Sequence, residues 1–151
     1  MFRQFKVNYF LKEEALVLQE SGSCRTHLLY YDSKLVGYCS LFADYVNIVK
    51  SKRESAGWES TRSPMPEQHY PSIRLHYIGV DSRYREMNLG HILMLMVFDM
   101  CIEVSRIVGI NFIVVEAMES SVDFFKKYSF EPVKRYNELL IMALKKEDID
   151  V

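Results

Sequence analysis

Cysteine is sparse in this chain, and what there is stands far apart. Cys24, Cys39 and Cys101 form no Cys-x-x-Cys pair and join no Cys/His cluster, so neither a zinc site nor a disulfide scaffold is expected. They read as buried reduced thiols, and no metal ligands are assigned. Neither sign of charge is in excess: 19 Lys and Arg stand against 20 Asp and Glu, a net charge of −1. Nothing global therefore draws the chain to polyanions. Long hydrophobic runs are missing too. The most apolar stretch, Ile92 to Ile102, is too short to cross a bilayer and carries Asp99. The opening MFRQFKVNYF lacks the apolar core of a signal peptide. These absences lead to the expectation of a cytoplasmic protein with no membrane contact. There is no internal repeat and no low-complexity tract.

What is present is apolar bulk. Hydrophobic residues make up 49% of 151 residues, with nine Phe and ten Tyr. That composition excludes disorder and suffices for one ordinary core, so a single domain spanning 1–151 is expected.

The periodicities predict an order of elements. Residues 9–20 place Phe10, Leu11, Ala15, Leu16 and Leu18 at helical spacing, and the Ser-Gly-Ser at 21–23 stops them. Residues 25–46 read as two strands around a turn at Asp32-Ser33-Lys34. Residues 49–71, with Gly57, Pro64, Pro66 and Pro71, read as a long polar loop. A strand follows over 72–80. A helix is predicted from Gly90 to Val108, with Ile92, Leu93, Leu95, Met96, Met100 and Val104 as its apolar stripe and Gly109 as its stop. Residues 111–117 form a continuous apolar strand. A short helix from Ser120 to Tyr128 and strands near 132–135 and 138–144 complete an α/β domain on a mixed sheet.

The informative segment is LHYIGVDSRYREMNLGHIL, residues 75–93. A strand runs through a short polar turn directly into a long helix. A helix N-terminus presents unpaired N–H groups and a partial positive charge, which together attract anions. Gly90 permits close approach, and Asn88 is the non-glycine residue that best tolerates positive φ. Arg85 adds a permanent charge. Alone, such a turn is ordinary connectivity.

With its flanks, the segment resembles the GNAT acetyltransferase superfamily, whose signature is a strand, Arg/Gln-x-x-Gly-x-Gly/Ala and a helix. The strand here is Tyr77-Ile78-Gly79-Val80 and the loop Arg85-Glu86-Met87-Asn88-Leu89-Gly90. Asn88 stands where the family has its first glycine. Phe124-Phe125-Lys126-Lys127-Tyr128-Ser129-Phe130 resembles the family's closing Phe/Leu-Tyr-x-x-x-Gly-Phe, and LLYYDSKLVGYCSLF resembles its central hairpin. The resemblance implies a GNAT-like fold, with a mixed central sheet flanked by helices and the first strand lacking. It implies acetyl-CoA as co-substrate, bound by Ile78, Gly79, Val80, Arg85, Glu86, Met87, Asn88, Leu89, Gly90 and His91. It also implies transfer of the acetyl group to an amine by direct attack in a ternary complex.

FLKEEA near the start and the loop ending MPEQHYPSI are similar to the toxin-type members of toxin–antitoxin pairs, which acetylate aminoacyl-tRNA. The implied acceptor is a small-molecule amine, a protein amine or an aminoacyl-tRNA. The implied partners are a second copy of the chain or an antitoxin-like protein covering an exposed sheet edge. The family's thiolate acid is a Tyr, and Phe125 stands in its place. Tyr128 and His76 are the candidate catalytic residues, with His69, Glu67 and Glu116 behind them as possible bases. A non-catalytic acyl-CoA-binding or interaction module is the alternative reading.

Overall fold

The computed structural model describes residues 5–149. Its N-terminal helical segment is α1 (Phe5–Tyr9), a π-helical turn (Phe10–Glu14) and α2 (Ala15–Glu20). Next come β1 (Arg25–Tyr31), β2 (Lys34–Asn47), α3 (Lys50–Ala56) and β3 (His69–Val80). A 3₁₀ turn (Ser82–Met87) leads to α4 (Leu89–Ser105), followed by β4 (Phe112–Ala117) and α5 (Val122–Lys126). The hairpin β5 (Glu131–Tyr136) and β6 (Leu139–Lys145) ends the regular structure. The strands form one six-stranded mixed sheet in the order β1-β2-β3-β4-β6-β5. Among the described residues the sheet begins at β1, and no helix is long and apolar enough to cross a membrane.

The residues group into two compact units. The first runs to Phe42 and resumes over Leu75–Met100. Its hairpin turns on Asp32 and Ser33, both at positive φ (51° and 63°), the backbone that a two-residue connection needs to follow strand twist. β1 and β2 pair antiparallel with an irregularity between Leu29 and Tyr30. Val7, Phe10, Ala15 and Tyr38 make a core cluster, with Leu11, Leu18 and Tyr77 against it. The π-helical turn, closed by the Ala15 N–H donating to the Phe10 carbonyl, swings Phe10 inward. Tyr38 is fully buried, and its hydroxyl donates to the Val7 carbonyl at 2.6 Å, which keeps a core phenol satisfied. Cys39 is also fully buried, and burial pushes its thiol up to about 11, an inert thiol.

The second unit holds Ala43–Arg74 and, among the described residues, 101–149. Trp58, Tyr70, Phe112, Val114 and Ile141 are prominent in its core. Trp58 meets Phe112 edge-on at 4.9 Å. β6 pairs antiparallel with both β4 and β5.

Three expectations need correction. Residues 49–71 are not one loop. Lys50–Ala56 is helical, stopped by Gly57 in the left-handed region (φ 77°), and β3 starts at His69. Because α3 buries none of its residues, it shows no apolar stripe. The stripe of α4 is also different. Leu89, Leu93, Met94, Val97, Phe98 and Cys101 are buried, whereas Ile92, Leu95 and Val104 are exposed. This helix is apolar around most of its circumference, so spacing alone could not choose its inner face. Finally, α4 ends at Ser105, and Gly109 lies beyond it without a positive φ.

Candidate functional site

In the first unit, β3 delivers the chain to Asp81, and the site is built outward from there. Asp81 donates its backbone N–H to the Val36 carbonyl of β2 at 2.8 Å. Its carboxylate caps the 3₁₀ turn by accepting from the Arg83 N–H at 3.0 Å, and it also takes Arg83 Nε (3.0 Å) and Nη2 (2.7 Å). The Arg83 guanidinium holds this carboxyl well below the usual carboxylate range. Tyr84 N–H returns to the Asp81 carbonyl at 2.9 Å. Asp81 therefore ties the start of the loop to the sheet. Nothing in the GNAT-like signature marked it. The sequence cue was an Asp two residues before a basic residue at a strand's end, an N-cap pattern.

Asn88 takes φ 58°, ψ 30°, directly after the right-handed 3₁₀ turn and directly before α4. A right-handed to left-handed step turns successive N–H groups inward as a nest. Leu89 and Gly90, as the first residues of α4, add amides for which the helix supplies no carbonyl. Ile92 N–H donates to the Asn88 carbonyl at 3.3 Å. Arg85, Glu86, Met87 and Asn88 are exposed, Leu89 is buried and His91 is exposed beyond Gly90. Arg85 has no ion-pair partner among the described residues. Backbone donors at a helix start, beside a guanidinium with no ion-pair partner among the described residues, make this segment a candidate anion site.

The strand feeding it, Ile78–Val80, is half-buried. A Cβ on Gly37 would come within 3.0 Å of the Gly79 carbonyl oxygen and 3.0 Å of Leu93 Cδ1. Gly37 thus lets β2 lie close to both the strand end and α4.

A cavity of about 790 Å³ opens beside the loop's first residues, lined among others by Asn8, Lys12, Lys34, Asp81, Ser82 and Arg83. Lys12 and Lys34 have no ion-pair partner among the described residues, so the lining carries net positive charge. Sequence reasoning missed these lysines because they are 22 positions apart and only the fold brings them to one wall. His76 is exposed, not enclosed in its strand. Its ring meets Phe10 (5.1 Å) and Phe42 (5.3 Å) edge-on and lies 4.6 Å from Tyr77.

The remaining candidates belong to the second unit. Phe125 is 5% exposed, packed against Phe124 and Phe130. Tyr128 is half-buried, with its ring 5.4 Å from Phe124. Partial burial raises its phenol above the ordinary value. Glu116 is bound by Arg74, which also meets Asp44 at 2.7 Å. That clamp makes Glu116 a poor base, since accepting a proton would break a charge-assisted pair. His69 packs on Tyr45 at 4.8 Å, and the Glu67 carbonyl accepts from Asn47.

Residues 2–130 match the model of the Acetyltransferase (GNAT) family. No curated protein matches at a significant level. Among solved structures, a bacterial toxin superposes with a TM-score of 0.83 at 15% identity, covering 98% of this chain and 82% of that one. A tyrosine-to-phenylalanine mutant of KacT gives 0.80 at 24% identity, covering 97% and 85%. AtaT complexed with acetyl-methionyl-tRNAfMet gives 0.80 at 20% identity, covering 99% and 86%. At such identities the likeness is one of fold.

Proposed function

This chain belongs to the GNAT acetyltransferase family, and on that premise we propose how it binds acetyl-CoA and which amine it acetylates. It is an acetyl-CoA-dependent N-acetyltransferase. The observation carrying our reading of the coenzyme site is the left-handed step at Asn88, where the family has glycine, leading straight into α4. The nest at Arg85–His91 takes the pyrophosphate, with the Leu89 and Gly90 amides as donors and Arg85 as counter-charge. The end of β3, Ile78–Val80, lies along the pantetheine arm and offers a backbone N–H to the oxygen that gains charge during attack.

The reaction needs the amine to lose a proton and the leaving thiolate to gain one. His76, exposed and held among aromatic rings, is the residue we assign to the first task. Tyr128 is assigned to the second, since a tyrosine carries its phenolic proton at neutral pH. Positioning of both substrates supplies much of the remaining acceleration.

For the acceptor we infer an aminoacyl-tRNA, acetylated on its α-amino group in the cytoplasm. The support is the cavity with Lys12 and Lys34, which favours an acceptor carrying phosphates, together with the fold likeness to AtaT. The exposed Leu28, Tyr30 and Tyr31 of the terminal strand β1 are where a second copy or an antitoxin-like protein would dock.

Phe125 favours a second reading, a non-catalytic acyl-CoA-binding module. Release of coenzyme A from acetyl-CoA, measured with charged tRNA, a lysine peptide and a polyamine, decides between them. Release with charged tRNA alone upholds the full reading, and release with another amine refutes the acceptor. Acetyl-CoA binding without release for any amine leaves the module.

A further inference from the structure

The second unit carries a polar cavity lined by none of the residues assigned above to acetyl transfer. It measures about 280 Å³ and lies between the segment after Trp58, the start of β4 and the end of β6. Arg62, Lys145 and Lys146 supply three positive charges to its lining, against Glu147 as the acid. Glu147 stands 3.5 Å from Lys145, so the charges of Arg62 and Lys146 go unanswered among the described residues. The Lys145 side chain is only 15% exposed, an unusual degree of burial for a lysine.

A second observation is independent of charge. Thr61 is 7% exposed, and its Oγ1 has no hydrogen-bond partner. A buried hydroxyl without a partner is costly, and native proteins keep few of them. The frame around it is fixed by backbone bonds: Thr61 N–H to Trp58 O at 3.0 Å, Asn111 N–H to Pro71 O at 2.8 Å and Lys146 N–H to Asn111 O at 2.8 Å.

We propose that this cavity binds a phosphate group, either free phosphate or one phosphate of a nucleic-acid backbone. Its volume lies just under the usual range for small-molecule pockets, roughly 300–1,000 Å³, and so suits a single compact group. A guanidinium fork and two ammonium groups match a tetrahedral dianion with several acceptor oxygens. The proposal does not depend on the acetyl-transfer reading.

The test is calorimetric titration of the full chain with inorganic phosphate, with acetate as the control anion and a five-nucleotide single-stranded RNA as a further arm. Phosphate binding should saturate, and the double variant Arg62→Gln/Lys146→Gln should weaken it by about tenfold or more, the scale of charge-assisted hydrogen bonds. Thr61→Val, which keeps the side chain's shape and removes its hydroxyl, should weaken binding in the same direction. If the double variant loses RNA affinity in parallel and phosphate competes with RNA, the source is the backbone. If RNA affinity is untouched while phosphate binding falls, the ligand is free phosphate. Circular dichroism checks folding, and Lys146→Gln alone decides the matter if the double variant does not fold. No saturation with phosphate, equal binding by the variants, or acetate binding as tightly as phosphate overturns the proposal.

Discussion

Replacing Gly37 by alanine adds one methyl group where the first unit has no room for it. The new Cβ would lie 3.0 Å from the Gly79 carbonyl oxygen and from Leu93 Cδ1, and 3.8 Å from Leu29 Cδ2. The leucine end is flexible in principle, but Leu93 is fully buried and has little space to retreat. The carbonyl is backbone and belongs to the strand end that we assign to the pantetheine arm. Overpacking of this kind costs about 1–3 kcal/mol. Gly37 is not at positive φ, so alanine also brings the opposing gain of replacing glycine inside a strand, about 0.5–1 kcal/mol. At the middle of both ranges the difference is a loss of about 1 kcal/mol, or about 2–4 °C in Tm for a chain of this length. Thermal melting followed by circular dichroism reads it directly. Acetyl-CoA affinity measured on the same sample should fall as well, because the Gly79 carbonyl is displaced. A variant as stable as the parent, with unchanged affinity, would mean that the close approach at Gly37 constrains nothing.

Gly90→Val keeps a helical backbone, so the protein should fold, yet the side chain fills the nest; calorimetry should show acetyl-CoA binding abolished, and unchanged affinity would dismiss the nest. Tyr128→Phe should lower kcat by up to ~10²–10⁴-fold with little change in acetyl-CoA affinity, measured as coenzyme A release, and an unchanged kcat removes Tyr128 from the mechanism. Phe125→Tyr places a hydroxyl in tight packing against Phe130 and should cost about 1–3 kcal/mol in urea unfolding, unless the hydroxyl finds a partner. Asp81→Ala removes a cap worth about 1 kcal/mol. Because the folded carboxyl lies below its unfolded value, its contribution is complete above pH ~4 and is lost as pH falls toward the lowered folded value. Urea midpoints of parent and Asp81→Ala should therefore converge below pH 4, and a gap independent of pH would contradict the assigned role.

The strand, turn and helix around Asn88 were legible in the sequence because they are local. Asn88 and Gly90 lie within one turn of each other, and a strand, a short turn and a helix are all readable from neighbours in the chain. The hairpin at Asp32-Ser33 is equally local. What escaped depends on distance along the chain. Lys12 and Lys34 form one basic wall only after the helical segment and the hairpin have folded, and Gly37 acquires its meaning from Gly79 and Leu93. Helix α3 escaped for a different reason: a charged helix that buries nothing leaves no apolar periodicity, and only Gly57 marked its end. For α4 the difficulty was excess, since apolar residues on nearly every side do not say which of them face inward.

The chain has one tryptophan, and Trp58 sits 4% exposed among Tyr70 and Phe112. Its emission is consequently a private signal of the second unit. The first unit has a reporter of another kind, the stacked rings of Phe10, Tyr38 and Tyr77, whose near-ultraviolet dichroism depends on their fixed mutual geometry. Trp58 emission thus follows the second unit alone, whereas near-ultraviolet dichroism sums both units, since Trp58 and Tyr70 also contribute to it. Coincident transitions would mean that the parts melt as one cooperative body. Separated transitions would mean that the half carrying Arg85–Gly90 can loosen while the half around Trp58 stays intact, and a ligand that shifts the Trp58 transition would act on the second unit.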